Sequence, residues 1–417
     1  MKTKVLLFSL PPSGGDLFPI SLGYIVASLK EHGFETAFAE IDAITPRTGQ
    51  EVADLVIAFK PTLVGFSVYE ENIRLALQLA RLIKQIDPAI VIALGGPQAT
   101  FMPREALYQM PCVDVIVRGE GETVMPELAA CLDGRRAASQ VRGIVFLHDD
   151  RLFETAPRPL VADLDAFPSP YASGVFHRRQ HRIATLLSSR GCTFNCAFCY
   201  TPRAFNRRIR QHSARRVLSD MSVCVKQGMK RFFFADPSFT FDKQRVRRIM
   251  RAVIRRKWRI SIWCETRADL VDEPLLRVMA RAGVRKIAYG LESVDNEVNK
   301  RMRKRIDLAQ FERVVRLSRS LGMEVEVFTL YGLPGQTLDS CRRTVAFLRR
   351  LGIKLTGNSA GQQLNLFLGT DVAAAPRAFG IKLLKKRRPL FLSAGTAFST
   401  DAMSRQALKK AAACYRR

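Results

Sequence analysis

The chain has 417 residues, 47% of them hydrophobic, which is enough for two or three domains that each bury a core. No apolar run approaches the roughly 18 residues of a membrane helix, and Met1–Leu10 lacks a small-residue cleavage site, so a cytoplasmic protein without a signal peptide is expected. The formal charge of +28 is lopsided, residues 1–150 holding 13 Lys and Arg against 18 Asp and Glu and the remainder 53 against 20. The basic residues are spread over many helix-like stretches, so they read first as solvated faces and only second as a surface for an acidic or phosphorylated partner.

Short apolar runs at Lys4–Leu10, Thr36–Ile41, Leu63–Val68, Val91–Gly96 and Val113–Val117 read as strands. Between them, Asn72–Ile86 places Ile73, Ala76, Leu77, Ala80 and Ile83 at helical spacing. Alternating strands and helices predict an open parallel sheet over residues 1–140, with ligands beyond the carboxyl ends of the strands. Those ends carry Pro11–Gly15, Ser67–Tyr69, Gly95–Pro97 and Gly119–Gly121, small residues that let a large ligand approach the backbone. Residues 141–180 change character, with a hairpin pattern around His148–Arg151 followed by Pro157, Pro159, Pro168 and Pro170, and read as a connector.

The alternation resumes with strand-like runs at Ile183–Ser189, Arg231–Ala235, Ile260–Glu265, Lys286–Leu291, Glu324–Leu330 and Leu364–Leu368. Helical patterns such as Pro274–Arg281 and Leu308–Leu321 separate them, so residues 181–355 predict a partial β/α barrel with its chemistry at the carboxyl ends of the strands. Residues 356–417 form a C-terminal extension with no recognisable signature.

Nine cysteines are present, an odd count that does not suit a disulfide framework. Only Cys192, Cys196 and Cys199 cluster, in the loop after the first barrel strand, and the other six read as buried small residues. A zinc site wants four ligands, and nothing nearby supplies the fourth. Three thiolates on a four-iron cluster instead leave one iron open to a further ligand. Iron–sulfur potentials reach down to roughly −700 mV, low enough for one-electron reduction of a sulfonium.

Cys192-x3-Cys196-x2-Cys199, with Phe198 before the last cysteine, resembles the radical S-adenosylmethionine (SAM) superfamily. Four further stretches at predicted strand ends resemble that family's motifs: Phe234–Phe239, Trp263–Arg267, Gly290–Ser293 and Tyr331–Thr337. The resemblance implies that the open iron binds SAM and that the cleaved sulfonium yields a 5′-deoxyadenosyl radical. It also implies SAM contacts from Phe198, Asp236, Arg267 (to the carboxylate), Glu292 (near ribose or amino group), and Gly332, Pro334 and Gly335 (along adenine). The plain alternative for Arg267 and Glu292 is a structural ion pair in the barrel mouth.

An α/β domain before such a barrel is similar to the cobalamin-binding-domain radical SAM enzymes. Val64–Ser67, Leu94–Pro97 and Val117–Glu122 look like the loops of that group. The fold class implied is α/β, a flavodoxin-like or Rossmann-like cobalamin-binding domain, then a partial (β/α)6 radical SAM barrel and a short C-terminal extension. Cobalamin contacts are implied for Pro12, Ser67, Val68, Gly95, Gly96, Gly119 and Glu120. The Asp-x-His-x-x-Gly motif that supplies a lower cobalt ligand is missing, and His32 lacks the Asp.

The activity implied is methyl transfer to an unactivated carbon, with a 4Fe-4S cluster, SAM and cobalamin as cofactors. The methyl group passes from one SAM through cobalamin to a radical that a second SAM generates. The partners implied are a small-molecule or peptide substrate and an electron donor such as flavodoxin or ferredoxin; nucleic acid is not expected. The alternatives are a radical cyclase, rearrangement or epimerisation enzyme, an RNA-modifying methylthiotransferase, and a non-catalytic corrinoid- or SAM-binding protein. Only Cys112 and Cys131 precede the cluster, against the three further cysteines that a methylthiotransferase needs.

Overall fold

The computed structural model describes residues 3–10, 17–41, 45–176, 181–384, 389–393 and 398–416. Two compact units divide the chain, residues 1–182 with 388–392 and residues 183–387 with 393–417.

In the first unit the predicted apolar runs become β1 (Lys4–Ser9), β2 (Glu35–Glu40), β3 (Leu63–Ser67), β4 (Val91–Gly95) and β5 (Val115–Val117). They pair in parallel in the order β2-β1-β3-β4-β5, so strand order reverses between β1 and β3. In such sheets a ligand crevice opens at that reversal, beyond the carboxyl ends. The helix Ile73–Ile86 buries Ile73, Ala76, Leu77, Ala80 and Ile83, the stripe its spacing predicts. The hairpin β6 (Ile144–His148) and β7 (Arg151–Glu154) pairs antiparallel onto β5 and extends the same sheet. Behind it the proline-bearing stretch packs Tyr171 and Phe176 against Phe18.

In the second unit β8 (Ile183–Leu186) is followed by a ribbon of β9 (Ser189–Gly191) and β10 (Ile209–Gln211). Then come β11 (Arg231–Phe234), β12 (Ser261–Thr266), β13 (Val284–Glu292), β14 (Glu324–Tyr331) and β15 (Gln362–Gln363). The sheet order β8-β11-β12-β13-β14-β15 follows the chain, and every neighbouring pair is parallel. This is the partial six-unit barrel that the alternation predicts. Its main helices start at side-chain caps: Ser213, Asp242, Asp272, Asp307 and Thr337 each accept a backbone N–H from the first turn.

Two strands depart from their predicted bounds. The run Ile183–Ser189 breaks after Leu186, because Ser188 and Ser189 leave the sheet to start the ribbon. The sixth strand is not Leu364–Leu368 but Gln362–Gln363, extended only by Leu364 N–H donating to the Tyr331 carbonyl at 2.8 Å. The alternation of Leu364 and Leu366 is real, but it serves burial in an apolar cluster rather than pairing.

The extension closes that cluster. A short ribbon of β16 (Ile381–Leu383) and β17 (Phe398–Thr400) and the helix Arg405–Arg416 bring Ile381, Phe398, Leu408, Ala411 and Tyr415 onto Leu333, Leu364 and Ala197. Among the described residues no helix is long and apolar enough to cross a membrane.

Candidate functional site

The three cysteines sit on the loop that the β9–β10 ribbon closes. Gly191, the last residue of β9, has φ +89°, and a Cβ there would lie 2.0 Å from the Arg208 carbonyl oxygen. Only glycine allows the two ends of the loop to approach so closely. Below the ribbon, Asp236 is 1% exposed. Its carboxylate accepts Ser188 N–H at 2.6 Å, Ser189 N–H at 3.1 Å and Ser188 Oγ–H at 2.5 Å. Burial pushes this carboxyl up, against the pull of Arg245 and the serine donors. Asp236 therefore stands behind the loop and fixes the point at which the chain leaves the sheet.

The middle of the loop is pinned from two other segments. Ala197 N–H donates to the Met302 carbonyl at 2.9 Å, and Val372 N–H donates to the Ala197 carbonyl at 3.2 Å. Asp371 forms ion pairs with Arg203, at 3.3 Å, and with Arg303. Phe367 meets Tyr200 edge to face. These residues of the extension escaped sequence reading, since nothing in Gly369–Val372 marks a partner so distant in the chain.

Charged groups converge on the loop from β12 and β13. The Arg267 guanidinium lies 3.9 Å from the Phe194 ring centroid and is held in two parallel hydrogen bonds by Asp269, both 2.8 Å. Glu292 ends β13 at a register shift, with φ +64°, a conformation that costs a non-glycine residue strain and recurs at functional sites. Its carboxylate pairs with Lys304, each side chain 7% exposed. The Lys304 ammonium is 5.9 Å from the Phe198 ring centroid. Lys304 was not singled out from the sequence, and the basic run Arg301–Arg305 hides it.

Burial raises the Cys192 and Cys196 thiols, Cys196 up to about 11, while the positive charges of Arg267 and Lys304 pull both down. All nine cysteines are free, and the three of the loop are half-buried. Gly332, Pro334 and Gly335 follow β14, and a Cβ on Gly335 would lie 3.2 Å from the Arg301 guanidinium. Gly332 has Leu408 3.0 Å from where a Cβ would stand, and Gly335 N–H donates to Asp401 at 3.3 Å, so the extension fixes this loop too.

In the first unit, the β3 and β4 loops are stitched together. Val68 N–H donates to the Gly95 carbonyl at 2.8 Å, and Gln98 N–H to the Val68 carbonyl at 3.1 Å. Ser67 pairs in register with Gly95, and Gly96 has φ +92° against the Val68 backbone. Gly119 has φ +81° and nothing within 4 Å of where a Cβ would stand, and its N–H donates to Thr100 Oγ1 at 3.0 Å. Glu120 is the N-cap residue of the helix Gly121–Leu132. Pro12 lies outside the described residues. His32 caps the far end of the helix after β1, its Nδ1 2.8 Å from the Ser28 carbonyl, at the sheet edge opposite these loops.

Comparison with known proteins agrees with this layout. The profile of the Radical SAM superfamily matches residues 186–348, and that of the B12 binding domain matches residues 10–129. The chain thus carries a B12 binding domain followed by a Radical SAM domain. An uncharacterized methyltransferase of Pyrococcus horikoshii is 27% identical over 85% of this chain and 79% of its own. The anaerobic magnesium-protoporphyrin IX monomethyl ester cyclase of Rubrivivax gelatinosus is 28% identical over 80% of this chain, which spans only 62% of that protein. The structure of TsrM from Kitasatospora setae, a radical SAM methyltransferase with cobalamin and a [4Fe-4S] cluster bound, superposes with a TM-score of 0.77 at 19% identity. That match covers 98% of this chain and 84% of the other.

The residues of this radical SAM enzyme fit the groups its family uses. Three free thiols on one loop are a donor set for iron. Among the described residues no three His, Cys, Asp or Glu side chains converge on a single-ion site. Thiolates spread around a four-iron body need no such convergence, whereas a tetrahedral zinc site does. In the first unit, the open, left-handed backbone at Gly119 and a buried Ser9 Oγ without a partner among the described residues leave room and an unmet polar group for a corrinoid.

Proposed function

We propose that the protein is a cobalamin-dependent radical SAM methyltransferase acting on an unactivated carbon. The observation that carries this reading is the three-thiol loop at the carboxyl edge of six parallel strands, in a chain that also bears the 2-1-3-4-5 corrinoid-type sheet. When bound, the cluster supplies the electron that cleaves SAM, and the corrinoid carries the methyl group. Cys192, Cys196 and Cys199 hold the iron. Arg267, Glu292 and Lys304 surround the loop with charge, and the Lys304–Glu292 pair presents both signs to the amino and carboxylate groups of SAM. Phe194 and Phe198 set their rings against Arg267 and Lys304 beside the loop. Asp236 positions its start rather than touching SAM. Ser67, Val68, Gly95, Gly96, Gly119 and Glu120 line the corrinoid crevice.

The cyclase likeness keeps a second reading in view, in which the same radical closes a ring. The methyltransferase reading is favoured by the fuller coverage of the Pyrococcus protein and of TsrM. A reductant and a substrate are required by either reading, and flavodoxin or ferredoxin suits the reductant's role. The test is product analysis on the protein reconstituted anaerobically with iron, sulfide and cobalamin. A methyltransferase forms S-adenosylhomocysteine in step with 5′-deoxyadenosine, and a cyclase forms only the latter. In Cys196→Ala both products should vanish together with the brown absorbance; full SAM cleavage in that variant refutes the cluster assignment.

A further inference from the structure

The surface of the second half is strongly basic, but the inner face of the barrel carries the opposite balance. Along β11 to β14, alternate residues point to the helices: Phe232, Phe234, Ile262, Cys264, Ile287, Val325 and Val327 are buried, and Tyr289 donates or accepts at Ser318 on the helix Leu308–Ser320. The intervening residues face the concave side. There Phe233 and Trp263 stack with centroids 4.1 Å apart. Lys286 lies 4.7 Å from the Trp263 ring centroid and 3.0 Å from Glu326, with Glu324 at 3.8 Å. Its charge is thus already matched by carboxylates.

On this face Glu265 and Trp263 carry polar groups that make no hydrogen bond among the described residues. The Glu265 side chain, two residues beyond Trp263 on the same face, has no hydrogen-bond partner among the described residues, and burial together with the nearby Glu326 raises its carboxyl to about 7 against the pull of Lys286. The Trp263 Nε1–H is buried and likewise without a partner among the described residues. Buried polar groups in native proteins are nearly always satisfied, so each such group asks for an explanation, and a ligand is one. The edges of this stacked aromatic pair, next to an acceptor without a donor, suit an apolar ring that carries a donor. A second carboxylate nearby repels anions.

We propose that the inner face around Phe233, Trp263 and Glu265 is a substrate subsite that takes a flat, ring-bearing molecule with a basic nitrogen. The ring lies against the edges of the Phe233–Trp263 pair, the nitrogen donates to Glu265, and a substrate acceptor meets Trp263 Nε1–H. This subsite therefore selects against carboxylates and phosphates, whatever the basic exterior attracts. This inference rests on the radical SAM reading, which the Cys196→Ala experiment tests separately.

Equilibrium dialysis of the full chain, loaded with cluster and cobalamin at pH 8, uses tryptamine and indole-3-acetate as matched probes. Tryptamine should be retained about tenfold or more over indole-3-acetate, the factor that a charge-assisted hydrogen bond provides. Glu265→Gln should erase that preference while keeping iron content and SAM retention. Equal retention of the two probes by the wild type overturns the proposal, as does a preference that survives Glu265→Gln. Loss of SAM retention in Glu265→Gln overturns it too, by assigning the carboxylate to SAM. Because no turnover is read, a protein that cleaves SAM yet shows no preference refutes this inference alone.

Discussion

Replacing Gly191 by alanine tests whether the β9–β10 ribbon holds the cysteine loop. An alanine at φ +89° carries about 1–2 kcal/mol of backbone strain. Its Cβ would also lie 2.0 Å from the Arg208 carbonyl oxygen, so that strand must retreat by roughly an ångström or more to restore ordinary contact. Retreat breaks the Gly191–Ile209 pairing, at about 1 kcal/mol for each hydrogen bond lost. The total of about 2–4 kcal/mol makes opening of the loop about 30- to 1,000-fold more frequent. Iron and sulfide content after anaerobic reconstitution, followed by the rate at which a chelator strips the iron, reads the effect. Gly322→Ala is the matched control in the same unit: φ is +80°, but nothing lies within 4 Å of the added Cβ. It should show only the backbone strain and an unaltered cluster. If Gly191→Ala binds and keeps iron as well as Gly322→Ala does, the ribbon is not what holds the loop.

Glu292→Gln leaves the Lys304 ammonium buried without its counter-charge and should cost about 3–5 kcal/mol in chemical denaturation of the second unit. Adding Lys304→Met should recover most of that stability without restoring SAM affinity; a double variant as unstable as the sum of the singles would show that the pair is not coupled. Tyr415→Ala removes a fully buried ring that stacks on Tyr331 and stands over Gly361, for about 3–5 kcal/mol. Hydrogen exchange in residues 330–336 should then accelerate, and unchanged protection there would mean that the extension does not support the Gly-Leu-Pro-Gly loop.

What was legible in the sequence is what local physics controls. Most strand positions followed from apolar runs, and the helix Ile73–Ile86 followed from its stripe, because burial on one face imposes a period that neighbouring residues must obey. The cysteine spacing was equally local, since one short loop carries all three thiols. Arg267 and Glu292 were singled out through the family motif, and both lie beside the cysteine loop. Their partners were not legible. Asp269 follows Arg267 closely, but nothing in the spacing says that it takes both guanidinium edges. Lys304 lies twelve residues past Glu292, within a run of five basic residues and one methionine in which no residue stands out until the bulge at Glu292 is known. Asp236 shows the same limit from the other side. Its position at a strand end suggested a ligand contact, whereas the break in the strand after Leu186, which alternation alone does not reveal, turns its carboxylate toward Ser188 and Ser189. The extension was opaque for a related reason. Its helix Arg405–Arg416 buries only Leu408, Ala411 and Tyr415, too sparse a stripe to name its target, and its contact with the cysteine loop runs through backbone groups of Val372 and Ala197 that carry no side-chain signature. A motif therefore locates a site along the chain, while the groups that set its electrostatics and hold it rigid are chosen by folding from segments whose own sequences need only be compatible.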